Sequence, residues 1–183
     1  MPANSKSIVF DKMQQVAFFE SPVGAYEIKA DDDGITSINL KGEKLEATEE
    51  NKKLDPNSRS TRHLQECIAW MNAYFSSSPM QKVKVPSLNV QEYEINKPFC
   101  CKVWKILTDQ VKPGETVTYG ELANMAGNPK GARAVGMAMR TNPIPIIVPC
   151  HRVVKSGGGL GNYSSFNGVV TKKWLLQHEK AVI

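Results

Sequence analysis

Cys150 and His151 are neighbours near the C-terminus, directly after the apolar, proline-containing run "NPIPIIVP". A cysteine reacts as a nucleophile in its thiolate form, and a nearby imidazole or positive charge favours that form by lowering the thiol pKa. Arg152 follows at once and supplies either positive charge or a structural contact. The motif therefore suggests nucleophilic chemistry at Cys150. Because most cysteines are small buried hydrophobic residues, the residue types alone also leave a packing role open.

The geometry of an extended segment limits what Cys150 and His151 can do together. Side chains of adjacent strand residues point to opposite faces, so a bridging water would have to link the two if they do not touch. Further along, the segment "WLLQHEK" has helical spacing and carries Glu179. A carboxylate at that position would hold His151 in one working tautomer.

These candidate residues lie in the basic half of the chain. Residues 1–97 contain 12 Lys or Arg against 14 Asp or Glu, a balance of −2, whereas residues 98–183 contain 11 against 4, a balance of +7. A basic domain attracts a polyanion, of which nucleic acid is the commonest. The same charge also serves solubility, so charge alone leaves both interpretations open.

Composition and length restrict the class of protein. The 183 residues have the apolar content of a globular chain, and no apolar run is long enough to cross a bilayer. The N-terminal segment has no apolar core of signal-peptide length, and the four cysteines lack the spacing of a secreted disulfide framework. We expect no membrane association and a reducing compartment: the nucleus in a eukaryote, or otherwise the cytoplasm.

The first half of the chain predicts a small α/β unit. Residues 8–40 alternate like strands and are interrupted by the turn sequences "SPVG" and "DDDG", which indicates an antiparallel sheet of about three strands. A polar loop is expected over residues 41–60. Apolar residues at helical spacing predict an amphipathic helix over residues 61–77, and residues 77–95 are expected to be a strand or an extended connector.

The second half predicts a mostly helical unit that begins after a boundary at residues 95–98. One helix is expected over residues 99–111, and two short helices follow across the turn "GNP". The first of these is expected over residues 119–126, and Pro129 suits the first position of the second. This helix pair resembles a helix-turn-helix. Along the second helix, Val135 and Met139 are expected to face the core with Ala132 nearby, while Arg133 projects from another side.

A stripe of small residues on this second helix has two interpretations. Gly131, Ala134 and Ala138 share one side and carry almost no side chain. Such a stripe permits close approach either to a neighbouring helix or to a nucleic-acid backbone. Helix packing gives no reason for Arg133 beside it, which favours the second interpretation without excluding the first.

The segment "IPIIVPCHRVV", with "GLGNY" and "KKWLLQHE" after it, resembles the O6-alkylguanine-DNA alkyltransferases, also called methylated-DNA–protein-cysteine methyltransferases. The similarity continues upstream through "TVTYGELANMAGNPKGARAVGMAMRTNPIPII" and covers most of residues 98–180, whereas residues 1–97 match in architecture rather than in motif. The resemblance implies an N-terminal α/β domain, residues 1–97, packed on a mostly helical C-terminal domain, residues 98–183, that contains a helix-turn-helix.

The resemblance also implies direct reversal of DNA damage, in which the alkyl group of O6-alkylguanine, and also of O4-alkylthymine, moves irreversibly to Cys150. Each molecule would act once, with no metal or organic cofactor, on an ionised and enclosed sulfur. His151 would be the water-linked base and Glu179 its orienting acid. Asn142 would brace the active-site turn. Tyr119 would help to expel the damaged base and protonate the leaving guanine.

The partner implied by the resemblance is double-stranded DNA, bound through the minor groove by a monomer. Arg133 would fill the space left by the base as it rotates out of the duplex, which costs a few kcal/mol. The other implied DNA-contacting positions are Tyr119, Asn128, Ser156, Cys100 and Gly120, of which Gly120 lacks the longer polar side chain of some relatives. The implied substrate pocket consists of Met139, Val153, Tyr163 and Ser164.

Two features depart from the family pattern. The segment after Tyr163 is bulkier and about two residues longer than in the familiar eukaryotic members, and Ser165 and Phe166 are expected to narrow the pocket. His63 and Cys67 are an incomplete set for the N-terminal structural zinc of some members, so no metal site is expected.

Two other functions remain to be separated by experiment: a thiol hydrolase that turns over, and a module that binds alkylated DNA without reacting. The presence of Cys150 argues against the latter.

Overall fold

The structure is a computed structural model that describes residues 14–42, 59–76, 83–163 and 165–182. It begins with an antiparallel sheet of three strands in the order β1 (Gln15–Ser21), β2 (Gly24–Asp31) and β3 (Gly34–Leu40). Both predicted turns connect these strands. The part of the strand prediction over residues 8–13 and most of the predicted loop over residues 41–60 lie outside the described residues.

Helix α1 (Arg59–Phe75) covers one face of this sheet, as the helical spacing predicts. Leu64, Cys67 and Met71 are fully buried against the strands. The connector that follows runs along β3, where Ile35 donates its backbone N–H to Ser87 O and Asn89 donates to Ile35 O. Gly34 lies at this contact with φ +153°, and a Cβ there would come within 2.7 Å of Ser87 O, so only glycine fits.

Helix α2 (Gln91–Asn96) was not expected, since residues 77–95 predicted a strand or an extended connector. None of its residues is buried, so it has no apolar stripe from which a helix could be recognised. Helix α3 (Pro98–Gln110) follows at the expected place. Its buried side includes Val103, Trp104 and Leu107, whereas Phe99 and Ile106 of the expected stripe are only partly buried.

The predicted helix pair is present as α4 (Tyr119–Met125) and α5 (Ala132–Arg140). Thr118 and Glu121 form a capping box that fixes the start of α4. The prediction that Pro129 opens the second helix is wrong. Residues 128–131 instead form a turn in which Gly131 donates its N–H to Asn128 O, with Pro129 at the second position that its fixed φ favours.

The chain then passes between two hydrophobic clusters. Ile144, Ile146 and Ile147 pack with the sheet and α1, and Val148 and Cys150 pack with α3, α4 and α5. A short 3-10 helix (Cys150–Arg152) leads into β5 (Val153–Val154), which pairs in parallel with β4 (Val117–Thr118). The last helix is α6 (Gly168–His178). Within the described ranges, no helix is both long enough and apolar enough to span a bilayer.

Candidate active site

Cys150 is held at the end of a braced turn. Asn142 donates from Nδ2 to Val148 O at 2.9 Å and accepts the backbone N–H of Ile144 at its Oδ1, at 3.0 Å. Between these contacts Ile146 adopts φ +74°, which a β-branched residue adopts only when its surroundings enforce it. The turn is therefore strained and over-determined, and this fixes the position of the Cys150 thiol, which is 6% exposed.

The thiol lies at the wall of a cavity of about 410 Å³. The parallel pairing of β4 with β5 continues toward Tyr119 and Lys155, and both of these residues line the cavity together with Cys150. At Gly161, φ is +73° and a Cβ would lie 3.2 Å from Tyr119 Oη, so the loop approaches this tyrosine closely. The cavity lining comprises Tyr119, Gly136, Met139, Arg140, Cys150, Lys155, Gly161, Asn162 and Tyr163.

Glu179 lies at the centre of a buried hydrogen-bond network, directly after the end of α6 rather than within the helix as expected. Its Oε1 is 2.8 Å from His151 Nε2. Arg152 donates to both carboxylate oxygens, from Nε and from Nη2, each at 2.9 Å, and also donates from Nη1 to Val111 O. Tyr74 of α1 donates its hydroxyl to the same Oε1 at 2.8 Å.

The arrangement keeps Glu179 ionised and His151 neutral. Burial by itself would raise the pKa of Glu179, but hydrogen bonds from His151 and Arg152 hold that pKa well below its usual range. Burial lowers the pKa of His151 despite the opposing effect of Glu179, and the charges of Arg152 and Lys172 lower it further. A neutral imidazole that donates from Nε2 has its lone pair on Nδ1, and this atom is buried without a hydrogen-bond partner among the described residues.

The expectation of an ionised resting sulfur is wrong. Burial raises the pKa of Cys150, and three opposing effects only reduce that rise: a hydrogen bond from Asn142, the charge of Lys172, and the backbone N–H groups of Cys150 and His151. The thiol is thus protonated at rest. The next residue, His151, carries a neutral imidazole that can accept a proton.

Sequence reasoning did not identify Lys172. Its side chain is fully buried, and its Nζ donates to Val153 O at 2.5 Å. Burial lowers its pKa to about 8, while the charge of a Cys150 thiolate would raise it. Lys172 lies beside Lys173 in the segment "KKWLLQHE", and no pattern in the sequence distinguishes the two. Tyr74 and the paired role of Arg152 were missed for a similar reason, because their partners lie far away in the sequence.

The exposed face of α5 carries Arg133, Gly136, Met137 and Arg140 at helical spacing. Gly136 and Arg140 also line the large cavity, so this face borders its opening. Arg133 is exposed, as expected, whereas Met137, which is 46% exposed, was not singled out from the sequence. Hereafter these four residues are called the α5 face.

One interpretation of the small-residue stripe holds at Ala138, and one expectation for α5 needs correction. Ala138 packs against a neighbouring helix, because it is fully buried and its carbonyl accepts the indole N–H of Trp104 at 2.8 Å. Its small size therefore serves helix packing against α3. Ala132 was expected near the core and is exposed instead. Val135 and Met139 are buried as predicted.

The remaining predicted residues are spread more widely. Asn128, Ser156 and Gly120 are exposed and free to face a partner, whereas the Cys100 side chain is 8% exposed and packs in the core, which does not fit a DNA contact through its thiol. Val153 is fully buried and packs beside Cys150. Ser164 lies outside the described residues.

Ser165 and Phe166 do not line the large cavity. With Cys150 and Tyr163 they border a second one of about 110 Å³, and the Phe166 ring lies against Gly42. Cys150 thus borders two cavities, a large one beside the α5 face and a small one beside β3. Within the described ranges, no group of three His, Cys, Asp or Glu side chains could hold a metal ion.

Comparison with known proteins gives matches along most of the chain. Residues 98–181 match the family model described as the 6-O-methylguanine DNA methyltransferase, DNA binding domain, and residues 16–81 match the ribonuclease-like domain of the same methyltransferase. The human methylated-DNA–protein-cysteine methyltransferase is 41% identical over 163 residues, which is 87% of this chain and 77% of the human protein.

Solved structures agree with this assignment. The Mycobacterium tuberculosis O6-methylguanine methyltransferase has a TM-score of 0.71 to this chain at 32% identity, with 92% of this chain and 93% of that one covered. A structure of the M. tuberculosis protein in complex with DNA has a TM-score of 0.69 at 32% identity and covers 91% and 92% of the two chains.

Proposed function

Because the chain belongs to the 6-O-methylguanine DNA methyltransferase family, we propose that it repairs DNA by moving the alkyl group from O6 of guanine to the sulfur of Cys150. The observation that carries this proposal is the position of Cys150, on the wall of a large cavity and directly before a buried His151 that is bonded to Glu179. O4-alkylthymine presents the same reacting group, an alkyl carbon on an exocyclic oxygen, and is proposed as a second substrate.

The reaction balances without any other reactant. The Cys150 proton passes through a bridging water to Nδ1 of His151, which is neutral and has no other partner among the described residues. The sulfur forms a bond to the alkyl carbon, the bond between that carbon and O6 breaks, and its electron pair stays with the base. Overall, the base gains a proton from Tyr119 and the sulfur gains the alkyl group, and the proton held by His151 returns to the Tyr119 oxygen through solvent.

Tyr119 is suited to donate the proton to the leaving base. It lines the same cavity as Cys150, and burial followed by the charge of a Cys150 thiolate raises its pKa. The hydroxyl therefore stays protonated until a negative charge develops on the leaving group. The product is a thioether, which water does not hydrolyse, so each protein molecule acts once.

The α5 face is proposed to bind the minor groove of double-stranded DNA. It combines two arginines with a glycine whose Cβ position has no atom within 4 Å, so the backbone of α5 can approach a partner closely there. The damaged base would rotate out of the duplex into the adjoining cavity, and Arg133 would occupy the space that it leaves. We further propose that the protein acts as a monomer, in the nucleus of a eukaryote or otherwise in the cytoplasm.

The number of lesions repaired per protein molecule tests this function. Duplex DNA carrying one O6-methylguanine is given in excess, and repaired strands are counted after the reaction ends. We expect one repaired lesion per molecule for the parent, none for Cys150→Ala, and one for the control Cys101→Ala, which alters a half-exposed thiol outside the site. Many repaired lesions per molecule would instead indicate a hydrolase, and binding without repair would indicate a recognition module.

A further inference from the structure

The N-terminal domain contributes directly to the hydrogen-bond network around Glu179. Tyr74 lies near the end of α1, 105 residues before Glu179 in the chain, and its hydroxyl is 2.8 Å from the carboxylate oxygen that also meets His151 Nε2. We propose that Tyr74 is a positioning residue for the proposed alkyl transfer, which sets the orientation and basicity of the Glu179–His151 pair. This inference rests on the proposed function for its kinetic consequence.

Tyr74 is held rigidly enough for such a role. Its ring stacks on Trp70 at 5.6 Å and meets the edge of Phe75 at 5.1 Å. Its backbone carbonyl accepts a hydrogen bond from His178 Nε2 at 2.7 Å, so the residue is tied to the end of α6 by its main chain as well as by its side chain. Tyr74 is 5% exposed, which leaves little solvent to compete for the hydroxyl.

The hydrogen-bond donors around Glu179 have two different roles: one neutralises the carboxylate charge and the other orients the carboxylate. Arg152 supplies the neutralising charge and occupies one lone pair on each oxygen. Tyr74 is a neutral donor, and burial together with the charge of Glu179 raises its pKa, so the hydroxyl keeps its proton. It acts on the oxygen that His151 uses. Hydrogen bonds to a carboxylate reduce its basicity, so Tyr74 weakens the attraction of Glu179 for a proton on His151 and favours the neutral imidazole.

Removal of the Tyr74 hydroxyl should therefore change the pKa of His151 in a predictable direction. In Tyr74→Phe the Glu179 oxygen loses one donor and becomes more basic, which raises the pKa of His151. The other groups that act on the imidazole are Arg152 and Lys172, whose charges lower its pKa, and both remain in place. More His151 is then protonated at a given pH, so the acidic limb of the rate profile moves to higher pH. The loss of orientation reduces the rate as well.

The experiment compares Tyr74→Phe with Tyr93→Phe. Tyr93 of α2 is a partly buried tyrosine whose ring meets the edge of Trp104 at 5.3 Å, so this control removes the same atom outside the hydrogen-bond network of Glu179. Single-turnover rates of methyl transfer are measured at saturating DNA from pH 5 to 9. For Tyr74→Phe we expect a rate about tenfold lower near neutral pH and an acidic limb displaced upward by about half to one pH unit. The control should stay within about twofold of the parent, with an unmoved limb.

The outcomes distinguish failure of the Tyr74 inference from failure of the proposed function. A parent-like rate and limb in Tyr74→Phe would overturn the inference, and so would a lower rate with an unmoved limb, which would indicate only a structural role. If the parent itself transfers no methyl group, the proposed function fails, and the inference is then decided by an NMR titration of the His151 ring. That titration reads folded molecules only and should give a higher pKa in Tyr74→Phe than in the parent; an equal pKa would overturn the inference.

Discussion

Substitution of Arg152 by methionine removes one half of a buried ion pair. The side chains of Arg152 and Glu179 are 8% and 2% exposed, and two hydrogen bonds of 2.9 Å join them. Methionine retains much of the length and apolar contact but leaves the carboxylate with Tyr74 and His151 as its donors. Breaking a buried pair in this way costs about 3–5 kcal/mol. The Val111 carbonyl also loses its donor, so we expect a decrease of about 4 kcal/mol in the free energy of unfolding.

The decrease should depend on pH with a definite sign. In the folded parent the pKa of Glu179 lies below that of an unfolded glutamate, so the stabilisation is fully present above the unfolded pKa and is lost as pH falls toward the folded one. Without Arg152, burial raises the pKa of Glu179 and the variant has less of this stabilisation to lose. The difference between parent and variant is therefore largest near pH 7 and narrows toward pH 3.

Urea unfolding followed by circular dichroism at pH 7, 5 and 3 measures this difference. Arg140→Met is the matched control, because Arg140 is exposed and its side chain donates to the sulfur of Met137; it should change stability by no more than about 0.5 kcal/mol. A cost below about 1 kcal/mol for Arg152→Met at pH 7, or a difference that stays constant down to pH 3, would refute the reasoning.

Two further substitutions test the turn and the α5 face. Asn142→Ala removes the hydrogen bonds to Val148 and Ile144, so the free energy of unfolding should fall by about 2 kcal/mol. The loss of the hydrogen bond from Asn142 to Cys150 should also move the pH midpoint of iodoacetamide alkylation of Cys150 upward. An unmoved midpoint would contradict this role of Asn142. Gly136→Ala should raise the free energy of unfolding by about 0.5–1 kcal/mol, because its Cβ position is open, yet weaken DNA binding in fluorescence anisotropy. Stronger binding by this variant would contradict close approach of α5 to DNA.

Local patterns in the sequence were sufficient for most of the fold. Alternation with the turns at residues 21–24 and 31–34 predicts the three-stranded sheet, and apolar spacing predicts α1 and α3. It is harder to predict which side of a short helix faces the core. On α5 two sides carry small residues, and periodicity does not indicate that Ala138 packs on Trp104 while Gly136 stays open.

Some residues of the candidate site could likewise be predicted from the sequence, and others could not. The residue types and the resemblance to a family motif both indicate Cys150, His151 and Glu179, which the structure places in one buried region. They did not indicate the resting protonation of the thiol, because that depends on burial outweighing the effects of Asn142 and Lys172. Tyr74 could not be identified either, since its contact with Glu179 arises only when α1 packs against the end of α6.

The most direct test of the account is the mass of the intact protein after reaction with duplex DNA that carries O6-methylguanine, followed by peptide mapping. We predict that the mass increases by one methyl group and that the group is found on the peptide containing Cys150, with no increase for Cys150→Ala. An unchanged mass despite loss of the lesion, or a methyl group on Cys67, Cys100 or Cys101, would contradict the account.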